Sequence, residues 1–178
     1  SHLLSLETPP ALQGFIPWFQ VSDREHDESV YRLFDLSAWP LIGSGGAYVV
    51  DSAGITRFYL DLYPQTQMSH AAVPSGIQLM EDGRLLFIQD DAIQLMDEFG
   101  NHSVYLEAAE LGLMEFHHDV IELPEGNYLT LGRSYRELSK EDGGLEIVCS
   151  DTILEISPQG EVVWTWDSLE HLDPDREI

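Results

Sequence analysis

A single register repeats along this chain and limits what it can become. Asp51-Ser-Ala-Gly54-Ile-Thr-Arg-Phe-Tyr-Leu-Asp61 aligns with Asp97-Glu-Phe-Gly100-Asn-His-Ser-Val-Tyr-Leu-Glu107, and both align with Ser157-Pro-Gln-Gly160-Glu-Val-Val-Trp-Thr-Trp-Asp167. In each copy a turn glycine follows a polar cluster, and an acidic residue stands seven positions beyond it. Apolar residues stand four and six positions past the glycine: Phe58 and Leu60, Val104 and Leu106, Trp164 and Trp166. Alternation at a period of two after a glycine turn is the pattern of a hairpin feeding a half-buried strand. A degenerate copy, Ser29-Val-Tyr-Arg-Leu-Phe-Asp35, precedes these three, with Glu28 where the glycine would stand.

Each turn glycine is itself preceded by an apolar segment, at 47–50, 92–96 and 152–156. Ahead of two of those segments lies a second hairpin signal, centred on Gly83 and Gly126. The unit therefore reads strand, turn, strand, strand, turn, strand. Four antiparallel strands per unit is the make-up of a β-propeller blade. Gly54 to Gly100 is 46 residues and Gly83 to Gly126 is 43, close to the roughly 45 residues of propeller repeats. Gly100 to Gly160 is 60, and the surplus is assigned to a loop around 134–151 with Glu-Asp-Gly-Gly at its centre.

The expected fold is thus all-β: a β-propeller with about three four-stranded blades, with a β-sandwich of hairpins as the structural alternative. An N-terminal segment, 1–38, carries one degenerate blade strand, and blades fill 39–178 in approximate units 39–72, 73–115 and 116–174. Closed propellers hold about four to eight blades, so three make an incomplete ring. Either the chain is part of a longer one, which is the preferred expectation, or a second copy about a two-fold axis completes the ring as a homo-oligomer.

Composition agrees with a folded chain and removes several function classes. At 178 residues, 43% apolar and 10% aromatic, one domain with a real core is expected. The net charge of −24 repels phosphate backbones and anionic lipids, which argues against nucleic-acid and membrane-surface partners. No apolar run approaches the roughly 18 residues of a membrane span. The start, Ser1-His2-Leu3, has neither an initiator Met nor a basic leader and reads as a processed terminus. Cys149 stands alone, so no intrachain disulfide or cysteine-rich metal site forms; its alternating context suggests a buried structural thiol.

Candidate chemistry gathers at His117-His118-Asp119, at the head of the third unit's first strand. The inner strand ends of a propeller surround its central channel, where several blades converge on a ligand. Adjacent strand residues point to opposite faces, so the two histidines are not expected to chelate one ion together. One facing the channel could bind an anion or shuttle a proton, while a structural pair bonding neighbouring loops is the plainer reading. His70, ahead of the second unit, is a further channel candidate. Arg133 could grip an anionic group through its planar guanidinium fork, as could Arg136, although such arginines commonly pair with surface carboxylates. Trp164 and Trp166 are expected to point one way into core between blades, and His171 to serve packing or a turn. No metal site and no P-loop or G-x-S-x-G motif is read.

The segment His117-His118-Asp119-Val-Ile-Glu-Leu-Pro-Glu-Gly126-Asn127-Tyr-Leu resembles the His-His-Asp, Leu-Pro-x-Gly-Asn segment of the arylsulfotransferase (ASST) family. Asp151-Thr-Ile-Leu-Glu-Ile-Ser-Pro-Gln-Gly160-Glu-Val-Val-Trp-Thr-Trp-Asp167 is similar to the stretch that follows there. The likeness covers about 70–175. It implies a six-bladed propeller, of which this chain is half, whose funnel holds a transiently sulfated histidine. It also implies transfer of a sulfuryl group from a phenolic sulfate ester to a phenol without a cofactor, usually in the periplasm or otherwise outside the cytoplasm. One histidine of the pair, His118 before His117, would be the substrate-binding or acid–base group, with Asp119, Arg133 and His70 as substrate-binding candidates. The family's sulfated histidine, its His-x-Asn segment and its anion-binding arginine have no counterpart in these residues. The alternative is a non-catalytic propeller module that binds a ligand or a protein.

Overall fold

A computed structural model of the protein describes residues 31–37, 45–52, 55–61, 74–139 and 143–173. These residues form three antiparallel sheets, each a meander whose neighbouring strands are consecutive in sequence. The first sheet holds β1 (Arg32–Ser37), β2 (Gly45–Val50) and β3 (Thr56–Asp61). The second holds β4 (Ser75–Leu79), β5 (Leu85–Gln89), β6 (Ala92–Met96) and β7 (His102–Glu107). The third holds β8 (Glu115–Glu122), β9 (Tyr128–Ser139), β10 (Leu145–Ile156) and β11 (Val162–Asp167). A short 3-10 turn, Ala108–Leu111, follows β7, and one helical turn, α1 (Ser168–His171), follows β11. β1 pairs along its whole length with β2, so the first sheet straddles the boundary drawn at residue 39.

The repeat has a local cause. In the four-stranded sheets Gly83, Gly100, Gly126 and Gly160 take φ between 83° and 89°, a left-handed backbone open to glycine at little steric cost. Each glycine N–H donates to the carbonyl three residues back, of Met80, Asp97, Leu123 and Ser157 respectively. This is the three-residue hairpin loop that joins a turn to a left-handed residue. The polar residue opening each aligned copy closes the loop further. Asp51, Asp97 and Ser157 accept, through side-chain oxygens, from Ile55, Asn101 and Glu161 N–H at 2.9, 2.9 and 3.2 Å. In the second and third sheets the acid seven positions past the glycine occupies the N-cap of the following turn: Glu107 before the 3-10 turn and Asp167 before α1. Gly54 lies outside the described residues.

Packing follows strand by strand. β5 is an apolar run buried on both faces from Leu86 to Gln89, as a short continuous apolar strand suggests. On one side Leu86, Ile88, Ile93, Leu95 and Leu106 meet Phe116, Val120, Tyr128, Leu154 and Ile156 of the third sheet. On the other, Phe87 and Met96 pack with Leu60 of the first sheet. Tyr105 ties β7 to the third sheet, its hydroxyl donating to the Ser157 carbonyl and accepting from Gly160 N–H. The second sheet is therefore the middle layer.

Three local expectations are corrected. The surplus residues between Gly100 and Gly160 do not form a loop over 134–151. They lengthen β9 and β10 into a twelve-residue paired hairpin, in which Arg136 faces Val148 and Ser139 faces Leu145. Cys149 is exposed, not buried; strand alternation gives a residue's parity but not which face is covered. Trp164 and Trp166 do share a face, opposite Glu155 and Ile153. Yet Trp164 is 48% exposed, and Trp166 stacks instead on His171, with ring centroids 5.1 Å apart and planes 8° apart. No helix among the described residues is long and apolar enough to cross a membrane.

Candidate functional site

β8 carries the histidine pair, and it is not a regular strand. Its pairing with β9 runs Glu115 opposite Arg133, Phe116 opposite Gly132 and His117 opposite Leu131, then jumps to Val120 opposite Thr130. His118 and Asp119 are thereby extruded as a bulge, a device that re-aims side chains where it occurs. His118 takes φ of 64°, a left-handed backbone that is uncommon for a residue bearing a Cβ. The expectation of opposite faces assumed an unbroken strand. With the bulge, the two imidazoles meet edge to face, centroids 4.9 Å apart and planes at 82°.

The two rings have different surroundings. His118 and Asp119 are exposed, whereas the His117 side chain keeps only 11% of its surface. Both His117 ring nitrogens are buried without a hydrogen bond; Nε2 lies 3.3 Å from Asp151 Oδ1 but outside hydrogen-bond geometry. Burial pushes the His117 pKa below the usual histidine value, and the Arg133 charge and His118 push it the same way. Asp151 and Glu115 oppose the shift without cancelling it. A neutral imidazole at neutral pH follows, which is the form able to accept a proton or act as a nucleophile.

Arg133 sits beside this ring, in the row Glu115–Arg133–Asp151 that register builds across β8, β9 and β10. Its Nη1 donates to Glu115 Oε1 at 2.6 Å and its Nε to Asp151 Oδ1 at 3.2 Å. Arg136, on the other face of the hairpin, donates to Asp167 Oδ2 at 2.7 Å. Both guanidinium groups are thus engaged by carboxylates, the commoner of the two readings of these arginines. Replacing Arg133 with Gln removes a cation that disfavours the imidazolium. The His117 titration midpoint in Arg133→Gln is expected to rise toward the ordinary histidine value, read from its ring-proton shifts against pH. A midpoint that stays or falls contradicts this electrostatic assignment.

The structure therefore brings His117, His118, Asp119 and Arg133 into one neighbourhood, while His70 lies outside the described residues. Sequence reasoning missed Glu115, two residues before His117 on the same strand, and Asp151; both reach Arg133 only through strand register. It also missed Thr130, whose Oγ1 donates to the Asp119 carbonyl at 2.9 Å. Among the described residues, no group of three His, Cys, Asp or Glu side chains is arranged to hold a metal ion.

Comparison with known proteins bears on the whole fold and not on the bulge alone. No curated protein matches the chain significantly. The sequence model of the arylsulfotransferase (ASST) family does match it, over residues 20–178, which includes every described strand and the histidine pair. The chain belongs to the arylsulfotransferase family.

Proposed function

We propose that the three sheets are successive β-propeller blades and that the His117–His118 bulge receives the sulfate group of a phenolic sulfate ester. The blade reading is supported by side-by-side packing of the first strands, β1 beside β4 and β4 beside β8. A middle sheet buried on both faces supports it as well. The units are taken to begin just ahead of β4 (Ser75–Leu79) and at the start of β8 (Glu115–Glu122), with β1 joined to the first of them. In a ring of such units the first strands line the axis, which is where a ligand is held.

The observation that carries the functional reading is the bulge itself: a strained, exposed histidine in ring contact with a half-buried one, in a chain of this family. Non-glycine left-handed residues concentrate at functional sites; Asp90 and Asp91 take the same backbone in the tight β5–β6 turn, whereas His118 takes it within a strand. The implied reaction moves a sulfuryl group by way of a histidine. The ester S–O bond breaks as a bond forms to a nitrogen of the family's sulfated histidine, which has no counterpart in these residues, then the S–N bond breaks as the acceptor phenol oxygen takes the group. The departing phenolate takes its proton from an acid–base imidazole, and the acceptor phenol restores that proton in the second step; His118, the exposed member of the pair, is the group suited to carry it. His118 meets the ester, Asp119 and Arg133 fix the surroundings of the pair, and His70 is a further substrate contact. No cofactor is required.

The partner is then a small sulfate ester or phenol. The setting is the periplasm or another exported compartment, where the −24 charge favours solubility. Calorimetric titration with phenyl sulfate tests the reading. His118→Ala is expected to weaken binding at least tenfold, about 1.4 kcal/mol; equal affinity in the variant contradicts it. The second reading, a binding module without turnover, is favoured by the double engagement of Arg133, whose Nε and Nη1 are committed to Asp151 and Glu115. Release of phenol on adding an acceptor phenol separates the two. A ring closed by a second copy would show by light scattering as twice 20.1 kDa.

A further inference from the structure

Two neighbouring sheets each break the pairing of their first strand. In β4 the pairing with β5 jumps from Ser75 opposite Ile88 to Gln78 opposite Leu86. In β8 the pairing with β9 jumps from His117 opposite Leu131 to Val120 opposite Thr130. Each interruption contains one left-handed residue, and both have φ of 64°: Gly76 in β4 and His118 in β8. β1, by contrast, pairs with β2 without a break. Glycine adopts this backbone freely, whereas a residue with a Cβ does so only under strain. In β4 two residues stand opposite one, Phe87, whereas in β8 two residues stand opposite none; a left-handed residue opens both, once as the permissive glycine and once as a histidine that the surroundings must hold in place.

Those surroundings are visible. The two bulges touch, and they touch through backbone. A Cβ on Gly76 would stand 2.8 Å from Asp119 Cα, 2.8 Å from Val120 N and 3.0 Å from Asp119 Oδ1. The first two atoms belong to the main chain and cannot turn aside. Three residues beyond Asp119, Glu122 N–H donates to Gln78 Oε1 at 2.9 Å, which pins β8 to β4 a second time. From within the third sheet, the fully buried Thr130 donates its hydroxyl to the Asp119 carbonyl. The extruded residues are therefore held between β4 on one side and β9 on the other.

We propose that Gly76 and Thr130 are positioning residues, which together clamp the bulge at residues 118–119 and so set the edge-to-face contact between His118 and His117. Glycine is required at 76 for two separate reasons, its left-handed backbone and its contact with the β8 main chain. Thr130 is required for its hydroxyl and not only for its volume. The consequence for ligand binding rests on the reading of His117–His118 as the ligand-facing pair. The positioning itself does not, and it is measured without ligand.

The experiment follows the imidazole ring-proton and ring-nitrogen signals of the whole chain by NMR in Gly76→Ala, Thr130→Val and Gly83→Ala. Gly83→Ala is the matched control. Gly83 also has a left-handed backbone, with φ of 89°, but a Cβ there meets nothing within 4 Å. Gly76→Ala and Thr130→Val are expected to shift the signals of both His117 and His118 while leaving those of His102 in place. Gly83→Ala is expected to leave all three at their wild-type positions despite a similar backbone penalty. Should Gly76→Ala fail to fold, Thr130→Val, which nearly preserves the shape of the side chain, gives the same readout. Unmoved His117 and His118 signals in a folded Gly76→Ala or Thr130→Val protein overturn the proposal, as does an equal movement in Gly83→Ala. Adding phenyl sulfate to the same samples keeps the two ideas apart. Wild-type signals that ignore the ester overturn the functional reading and leave the positioning intact.

Discussion

Phe87→Ala is expected to lower the unfolding free energy by about 3–5 kcal/mol, as for other fully buried aromatic truncations. Phe87 is completely buried on β5. It lies on the side of the middle sheet turned away from the main core, with Met96, Leu60, Ile77 and Leu85, and its ring meets His102 edge to face at 5.9 Å. Truncation removes apolar contact and leaves a cavity that strands on both sides hold open. Because Leu60 belongs to β3, the loss also weakens the packing of the first sheet on the second. Ile147→Ala is the fitting comparison, since Ile147 is 68% exposed and should change stability by no more than about 0.5 kcal/mol. Chemical denaturation of the two variants measures the difference. A Phe87→Ala loss below about 1 kcal/mol would contradict the layering of first sheet on second.

Asp167→Ala is the second large effect, at about 2–4 kcal/mol from a lost helix cap and a stranded buried hydroxyl. Asp167 is 7% exposed. Its carboxylate accepts from Ser150 Oγ at 2.6 Å, Arg136 Nη2 at 2.7 Å and Leu169 N–H at 2.9 Å. Burial alone pushes its pKa up. The hydrogen bonds from Ser150 and Leu169 and the charges of Arg136 and His171 outweigh that, so the net shift is downward. A depressed carboxylate contributes stability that is fully present above its unfolded value, about 3.9, and is lost as pH falls through the lower folded value. The stability gap between wild type and Asp167→Asn should therefore be constant near neutrality and close below about pH 4. A gap that widens on acidification would reverse the sign of the assigned shift.

His117 adds acid sensitivity of another origin. Its folded pKa lies below the unfolded value near 6.5, so the unfolded chain binds the proton more readily. Its contribution is greatest above about 6.5 and declines as pH falls through that value toward the folded one. The two groups act in separate windows, His117 first and Asp167 later on the way down.

What could be read from the residues, and what could not, divides along a physical line. Local rules were legible. Asp51, Asp97 and Ser157 line up in sequence because each closes the same turn by accepting from the N–H four residues on. Glu107 and Asp167 line up because each stands at an N-cap. Strand pairing was not legible. The surplus between Gly100 and Gly160 reads as loop because Glu-Asp-Gly-Gly at 141–144 is turn chemistry, yet β9 and β10 are paired from Ser139 and Leu145 onward. The bulge at His118–Asp119 depends on how β9 meets β8 and leaves no mark in the alternation of β8 itself. Glu115 and Asp151 reach Arg133 only through the same register. Cys149 and Trp164 were misplaced for one reason: alternation assigns a side chain to a face, and only the neighbouring layer decides whether that face is covered.

The most direct measurement is an NMR titration of the uniformly labelled chain with phenyl sulfate, followed at backbone amides and imidazole rings. If the histidine bulge is the ligand-facing site, the largest changes fall on His117, His118, Asp119 and the abutting Gly76, and they disappear in His118→Ala. Changes that spare the bulge, that centre on Trp166 and His171, or that persist undiminished in His118→Ala would contradict that assignment.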